Sequence, residues 1–403
     1  MNVPFAIPDL GNQEIQEVIS VIKSGWLTTA SRCKQFEENF AKYVGAKHAL
    51  AVNSATAALH LGVESMGADP DTAVLVPTFT FTSTAEVVRY FDAEPIFVDC
   101  EPDTFCISSD LIEQAYDHYK ANNLPAKKIK IMIPVHFGGH PCEMNDIVAL
   151  AKKYGLKIIE DAAHAIPTRY AAAESLQESN QIEGKLIGNT GDITCFSFYA
   201  NKTMTTGEGG MLCTDNDDIA KRVQVMRLHG ISRDVWDRFE TGASWEYDIV
   251  APGYKYNMPD ISAAIGIHQL KKVEQFRDQR QKIAQIYFDE LKNIPGLILP
   301  RLKCPKEFHS WYLFMVLINP EASKNGLTRD DLITELSKRN IGTSVHYKPL
   351  HRMSYYKNRY KLKPEMFPNA EWVFQRCVSL PMFSAMKENQ LEYVIESIKE
   401  ILL

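Results

Sequence analysis

The chain has 403 residues, 45% hydrophobic and 23% charged, with 21 Gly and 20 Pro; this excludes disordered, collagen-like and fibrous classes and makes two packed domains the expectation. A balance of 44 Lys+Arg against 50 Asp+Glu leaves −6, so no global field attracts nucleic acid or an anionic membrane, while a local cationic pocket for a small anion stays open. The eight cysteines are scattered without a CxxC pair or zinc-type spacing, the N-terminus MNVPFAIPDL has no signal-peptide pattern and no apolar run reaches membrane-span length, so a cytoplasmic protein with reduced thiols and no metal is expected.

In chain order, short apolar runs alternate with amphipathic segments: HALAV (48–52), AVLVP (73–77), PIFVDC (95–100), IKIMIPVHF (129–137), LKIIED (156–161) and ITCFSF (193–198). Near-continuous apolar strands separated by helices predict an α/β fold with a mostly parallel sheet covered on both faces. In such sheets ligands sit beyond the carboxyl ends of the strands. The polar segment 171–187 predicts a surface insertion. From about residue 260 the stretch AAIGIHQLKKVEQFRDQRQKIAQIYFDELKNI predicts one or two long helices, and near the end Leu391, Val394, Ile395, Ile398 and Leu402 share one helical stripe. The expected division is a large domain over 1–274, with the N-terminal residues free to pack on the other unit, and a smaller C-terminal α+β domain over 275–403.

Four segments directly after apolar runs carry candidate chemistry. Val52-Asn-Ser-Ala55-Thr56 is a strand, a small-residue turn and a helix start, which suits a phosphate and equally suits an ordinary N-cap. In Pro77-Thr-Phe-Thr-Phe81, the aromatic Phe81 is placed to stack on a flat ring, although core packing is the default for a single Phe. In Glu160-Asp161-Ala-Ala-His164, Asp161 stands at the ligand edge of the sheet, where a buried carboxylate needs a partner; a helix-capping Asp is as good an alternative. In Phe196-Ser197-Phe-Tyr-Ala-Asn-Lys202, continuing to Gly207-Glu-Gly-Gly210, one lysine stands in a glycine-rich turn. Lysine forms Schiff bases with carbonyl compounds, while an isolated loop lysine is ordinarily a solvated charge. Walker A, GxGxxG, HExxH and GxSxG patterns are absent.

Taken together with Ser24-Gly-Trp26-Leu-Thr28-Thr29, Pro134-Val-His-Phe-Gly-Gly139, His229-Gly230, Pro252-Gly-Tyr-Lys255-Tyr-Asn257-Met-Pro-Asp260, Val345-His346-Tyr-Lys348-Pro-Leu-His351 and Ser379-Leu-Pro381, the chain resembles the pyridoxal-phosphate (PLP) nucleotide-sugar aminotransferases of the DegT/StrS type over nearly its whole length. The resemblance implies an aspartate-aminotransferase-like fold (PLP fold type I). It also implies transfer of an amino group from glutamate, leaving 2-oxoglutarate, to a keto group of a nucleotide-linked sugar. C4 is the favoured position, since the ending Gly-Tyr-Lys-Tyr-Asn with His309-Ser-Trp311 and Asn369-Ala-Glu-Trp372 looks closest to enzymes acting on UDP-4-keto sugars. Lys202 is implied to hold PLP and move the proton, Asp161 to pair with the pyridine nitrogen, and His164 to lie near the phenolic oxygen. Phe81 would stack on the ring; Ala55, Thr56 and Ser197 would bind the phosphate. Lys255, where many relatives carry Asn, or Asn257 would reach the phosphate of a neighbouring subunit, implying a homodimer with shared active sites. Trp26, Thr28, Thr29, His346 and Lys348 match substrate-side positions. Other readings are a 3-keto-sugar or cyclitol aminotransferase and a non-catalytic homologue; the dehydratases of the same fold carry His where this chain has Lys202.

Overall fold

The computed structural model describes residues 1–122, 127–171, 184–232 and 247–403. Among the described residues, nine strands precede residue 215: β1 (His48–Val52), β2 (Thr72–Pro77), β3 (Glu94–Val98), β4 (Lys128–Met132), β5 (Lys157–Asp161), β6 (Arg169–Ala171), β7 (Gly184–Leu186), β8 (Ile193–Ser197) and β9 (Gly210–Thr214). Seven of them form one sheet in the order β1-β9-β8-β5-β4-β2-β3. Every adjacent pair from β8 through β5, β4 and β2 to β3 is parallel, whereas β9 runs antiparallel to both β8 and β1. The sequence segments predicted as strands therefore all point the same way. The exception is β9, whose short run Gly-Met-Leu-Cys-Thr follows glycines.

Burial explains the apolar runs. All six residues of β2 and all five of β8 and β9 are buried, as expected of strands with both faces covered. Helices on the faces are begun by ordinary caps: Ser54 Oγ accepts the Ala57 N–H at 3.1 Å to start helix Ala55–Ser65, and Asn216 does the same for helix Asp217–Met226. Behind β5, Glu160 and His136 are fully buried and bonded at 3.0 Å; Gly191 N–H and Thr194 Oγ1 donate to the other carboxylate oxygen at 2.7 and 2.9 Å. This satisfied network fixes the strand that carries Asp161 on its opposite face. Seven of the eight cysteines are buried and none is in a disulfide.

One continuous helix, Asp260–Leu291, crosses residue 274. Its first half packs in the core of the large sheet through Ala263, Ile267, Leu270 and Val273. Its second half enters a separate apolar cluster through Ile283, Ala284, Tyr287 and Leu291. That second cluster includes the three-stranded sheet β10 (Leu297–Ile298), β11 (Phe314–Ile318) and β12 (Cys377–Leu380), the helices Arg329–Lys338 and Glu388–Leu402, and Val3 from the N-terminus. The predicted stripe Leu391, Val394, Ile395, Ile398 and Leu402 is wholly buried there. Residues 172–183 of the predicted insertion lie outside the described residues; the flanking β6 and β7 pair antiparallel.

Two glycines explain how the units meet. Gly139 has φ +101°, and a Cβ on it would meet Ser310 Oγ at 2.1 Å and the Trp311 N at 3.2 Å. Gly138 and Gly139 thus let segment 310–313 lie directly on the loop after β4, with Leu313 N–H donating to Gly138 O at 3.0 Å and Ser310 N–H to Gly139 O at 3.2 Å.

Candidate active site

The order of the sheet places β2 and β4 side by side while their following connections diverge toward β3 and β5. A crevice opens at such a point. A cavity of about 420 Å³ lies there, within the size range of small-molecule sites. Its walls come from the carboxyl ends of the parallel strands in turn: Ala55 and Thr56 after β1, Thr80 and Phe81 after β2, Val135 after β4, Asp161 and His164 at β5, Ser197 and Lys202 after β8. Glu208 and Gly209, which lead into β9, close one side, and Tyr312, His346 and Tyr347 close another.

Asp161 is 3% exposed. Thr84 Oγ1 donates to its Oδ2 at 2.8 Å and the Ala163 N–H to its Oδ1 at 3.1 Å, with Thr80 Oγ1 2.9 Å behind Thr84. Burial nevertheless pushes the carboxyl pKa up, because two neutral donors and the more distant Lys202 charge do not replace lost hydration. The carboxylate is short of a cation on its cavity side.

Lys202 is half-buried in the cavity wall, its Nζ donating to Tyr312 Oη at 3.3 Å. Lost hydration lowers its pKa to about 7, against the opposing pull of Asp161. A large fraction of the amine is therefore neutral at physiological pH and available as a nucleophile. Covalent capture of PLP by the apo-protein should accordingly rise through about pH 7 and level off above about pH 8, instead of climbing toward the ordinary lysine value. Stopped-flow absorbance across pH measures this; a rate still rising at about pH 10 would contradict the depressed pKa.

His164 accepts the Gly138 N–H on Nδ1 at 3.2 Å, which leaves Nε2 to donate to Tyr347 Oη at 3.1 Å. Burial and the nearby Lys202 and His346 hold it well below the usual histidine range, so it is neutral. His346 is bonded through Nδ1 to Ser379 Oγ at 2.8 Å, and burial, with Lys202 nearby, lowers its pKa to about 3. Phe81 is 54% exposed at the mouth, its ring 5.7 Å from that of Tyr347. Ala55 and Thr56 begin an 11-residue helix whose N-terminus faces the cavity, a suitable place for a phosphate. Gly210 permits this: a Cβ there would strike the Ser54 carbonyl at 2.5 Å.

The structure thus gathers Ala55, Thr56, Phe81, Asp161, His164, Ser197, Lys202 and His346 around one cavity. The other predicted residues stand outside it within one chain. Asn257 Nδ2 donates to Thr29 Oγ1 at 2.6 Å, Thr29 Oγ1 to Met258 O at 2.6 Å, and Asp260 N–H to Thr28 O at 3.3 Å. Lys255 and Lys348 are exposed, and Trp26 is half-buried. Sequence reasoning missed Tyr312, Tyr347, Asn201, Thr84 and Glu208. Asn201 and Glu208 lie inside a segment singled out in the sequence and Thr84 just past another, while Tyr347 stands inside Val345–His351 and Tyr312 directly after His309-Ser-Trp311, stretches read there only for other positions.

Residues 8–399 match the model of the DegT/DnrJ/EryC1/StrS aminotransferase family. The chain belongs to this family. The aminotransferase is 44% identical over 398 residues to the uncharacterized protein MJ1066 of Methanocaldococcus jannaschii, and 40% identical over 400 residues to the spore coat polysaccharide biosynthesis protein SpsC of Bacillus subtilis; each alignment covers 99% of this chain and 97% of the relative. Spr1654 of Streptococcus pneumoniae, assigned as a sugar aminotransferase, superposes in its PMP form with a TM-score of 0.86 at 30% identity over 99% of both chains. Its PLP form gives 0.85 at 30% identity, over 100% of this chain and 98% of the other. The protein is therefore a PLP-dependent sugar aminotransferase of the type I fold. Its own residues fit that cofactor: a helix N-terminus faces the cavity, a buried carboxylate lacks a cation, and burial lowers the pKa of a lysine amine to about 7. Among the described residues, no helix is long and apolar enough to cross a membrane.

Proposed function

We propose that this aminotransferase moves an amino group from glutamate to the C4 keto group of a nucleotide-linked sugar, as a cytoplasmic homodimer. The observation that carries the assignment of chemistry is the half-buried Lys202, with its pKa lowered to about 7, in one cavity with the buried carboxylate of Asp161. Bound PLP supplies the electron sink that makes the substrate carbon acidic. The protein does the rest. Lys202 Nζ takes a proton from the carbon of the donor and returns one to the carbon of the sugar. Asp161 holds a positive charge on the pyridine nitrogen, which relieves its own burial. Ala55, Thr56 and Ser197 would hold the phosphate at the helix start, and Phe81 would stack on the ring. His164, neutral and tied to Tyr347, supplies a hydrogen bond near the phenolic oxygen.

The sugar lies on the side of His346 and Lys348. Trp26, Thr28, Thr29, Lys255 and Asn257, which do not line their own chain's cavity, serve the cavity of the second copy, Lys255 or Asn257 at its phosphate. The name of SpsC, a polysaccharide biosynthesis protein, supports a sugar destined for a polymer. The test is mass spectrometry of the enzyme with glutamate against UDP-, dTDP- and GDP-linked 4-keto and 3-keto sugars and a keto-cyclitol. The expected result is exchange of the keto oxygen for an amino group on a 4-keto nucleotide sugar, with 2-oxoglutarate formed. Amination of the cyclitol or a 3-keto sugar alone would overturn the substrate assignment.

A further inference from the structure

Lys202 Nζ lies 3.3 Å from Tyr312 Oη and 4.4 Å from the centre of the Tyr312 ring, so both the oxygen and the π face meet the amine. The phenol is itself oriented: its O–H donates to Asn201 Oδ1 at 3.2 Å, leaving the oxygen lone pairs toward Lys202. The ring is 4% exposed and lies against the His164 imidazole with centroids 4.5 Å apart. The backbone is fixed as firmly. Arg280, 2% exposed, donates through Nη1 to the carbonyls of Trp311 and Tyr312 at 3.3 Å each and of Met382 at 2.9 Å. On either side, Ser310 and Leu313 bond the loop after β4, and Ser310 Oγ donates to His164 O at 2.8 Å. Tyr312 is thus a rigid post, supplied by segment 310–313 and set against the two cavity residues His164 and Lys202.

We propose that Tyr312 is a positioning residue for Lys202, receiving the free amine on its phenol oxygen whenever the lysine is not bonded to the cofactor and so keeping it over the reacting carbon between the two half-reactions. This rests on the reading of Lys202 as the cofactor lysine. An oxygen acceptor favours the N–H-rich ammonium over the neutral amine, so the phenol opposes the loss of hydration that lowers the lysine pKa. Asp161, His164, Tyr199, Glu208, His346 and Tyr347 are the other titratable groups sharing the cavity; Asp161 acts on Lys202 in the same direction as Tyr312.

Tyr312→Phe keeps the ring and removes the oxygen. Competitive acylation of the apo-protein, followed by mass spectrometry of the Lys202 peptide, reads the amine pKa without turnover. The variant should titrate about one unit below wild type. Its PLP-loaded form should stay yellow, and its single-turnover rate with glutamate should fall about tenfold with little change in KM. Should Tyr312→Phe not fold, Asn201→Ala decides: it frees the phenol O–H to turn toward Lys202 and should shift the labelling pKa in the same direction. A labelling pKa and single-turnover rate equal to wild type overturn the proposal. Lys202→Ala separates the two levels. If it remains active, the assignment of the cofactor lysine fails; if it is inactive while Tyr312→Phe behaves as wild type, only the role of Tyr312 fails.

Discussion

Lys202→Ala should fold as well as wild type and lose at least about 10⁴-fold in turnover. Among the described residues the amine makes one hydrogen bond, to Tyr312 Oη, and it is held where its charged form is disfavoured, so the fold should give up little when it is removed. A lysine whose pKa is lowered in the folded state costs stability as pH falls below its ordinary value, and the full cost is present below about pH 7. Apo Lys202→Ala should therefore melt no lower than apo wild type at pH 6. The chemistry should be affected quite differently, because in the proposed mechanism the same amine captures the cofactor and carries the proton. Calorimetry of the apo-proteins and a coupled assay for 2-oxoglutarate check the two halves. A variant that turns over at wild-type rate would remove Lys202 from the mechanism.

Asp161→Asn should separate stability from activity in the same way. The carboxyl is buried and its pKa is raised. Such a group favours folding most when it is protonated, below the unfolded value, and that contribution is lost as pH rises through the folded pKa. At neutral pH the carboxylate is thus a burden on the apo-protein, and Asn, of the same shape and uncharged, should leave its melting temperature unchanged or higher. Turnover should drop about 10³-fold, since the charge proposed to keep the pyridine nitrogen protonated would be gone. PLP should also raise the melting temperature of the variant less than that of wild type. Undiminished turnover would return Asp161 to the ordinary helix-capping role that its position also allows.

Much of this site was legible because of where its residues fall relative to apolar runs. Asp161, Ser197 and Ala55 each stand at or just past the end of a strand buried on both faces, and such runs show in sequence as unbroken hydrophobic stretches. Lys202 drew attention through the small and glycine residues after it, and the structure gives a reason for one of them: Gly210 lets β9 approach the Ser54 carbonyl at the start of the helix that faces the cavity. Strand β9 itself was missed as a strand because its five residues carry no alternation and follow a turn. Tyr312 was illegible for a different reason. Its arrival at Lys202 depends on the loop after β4 accepting segment 310–313 against Gly139, a contact across about 170 residues of chain that no local periodicity encodes. The residues at 26–29 and 255–257 show the same limit from the other side. Their hydrogen bonds tie them to one another and away from the cavity of their own chain, so the proposed role for them needs a second copy.

The lysine that holds the cofactor can be read directly. The purified enzyme, loaded with PLP, is reduced with borohydride, digested and mapped by mass spectrometry. The expected result is the phosphopyridoxyl group on the peptide containing Lys202 and its absence after prior conversion of the enzyme by glutamate. The label on another lysine, such as Lys255, or no label on a protein that still transaminates, would contradict it.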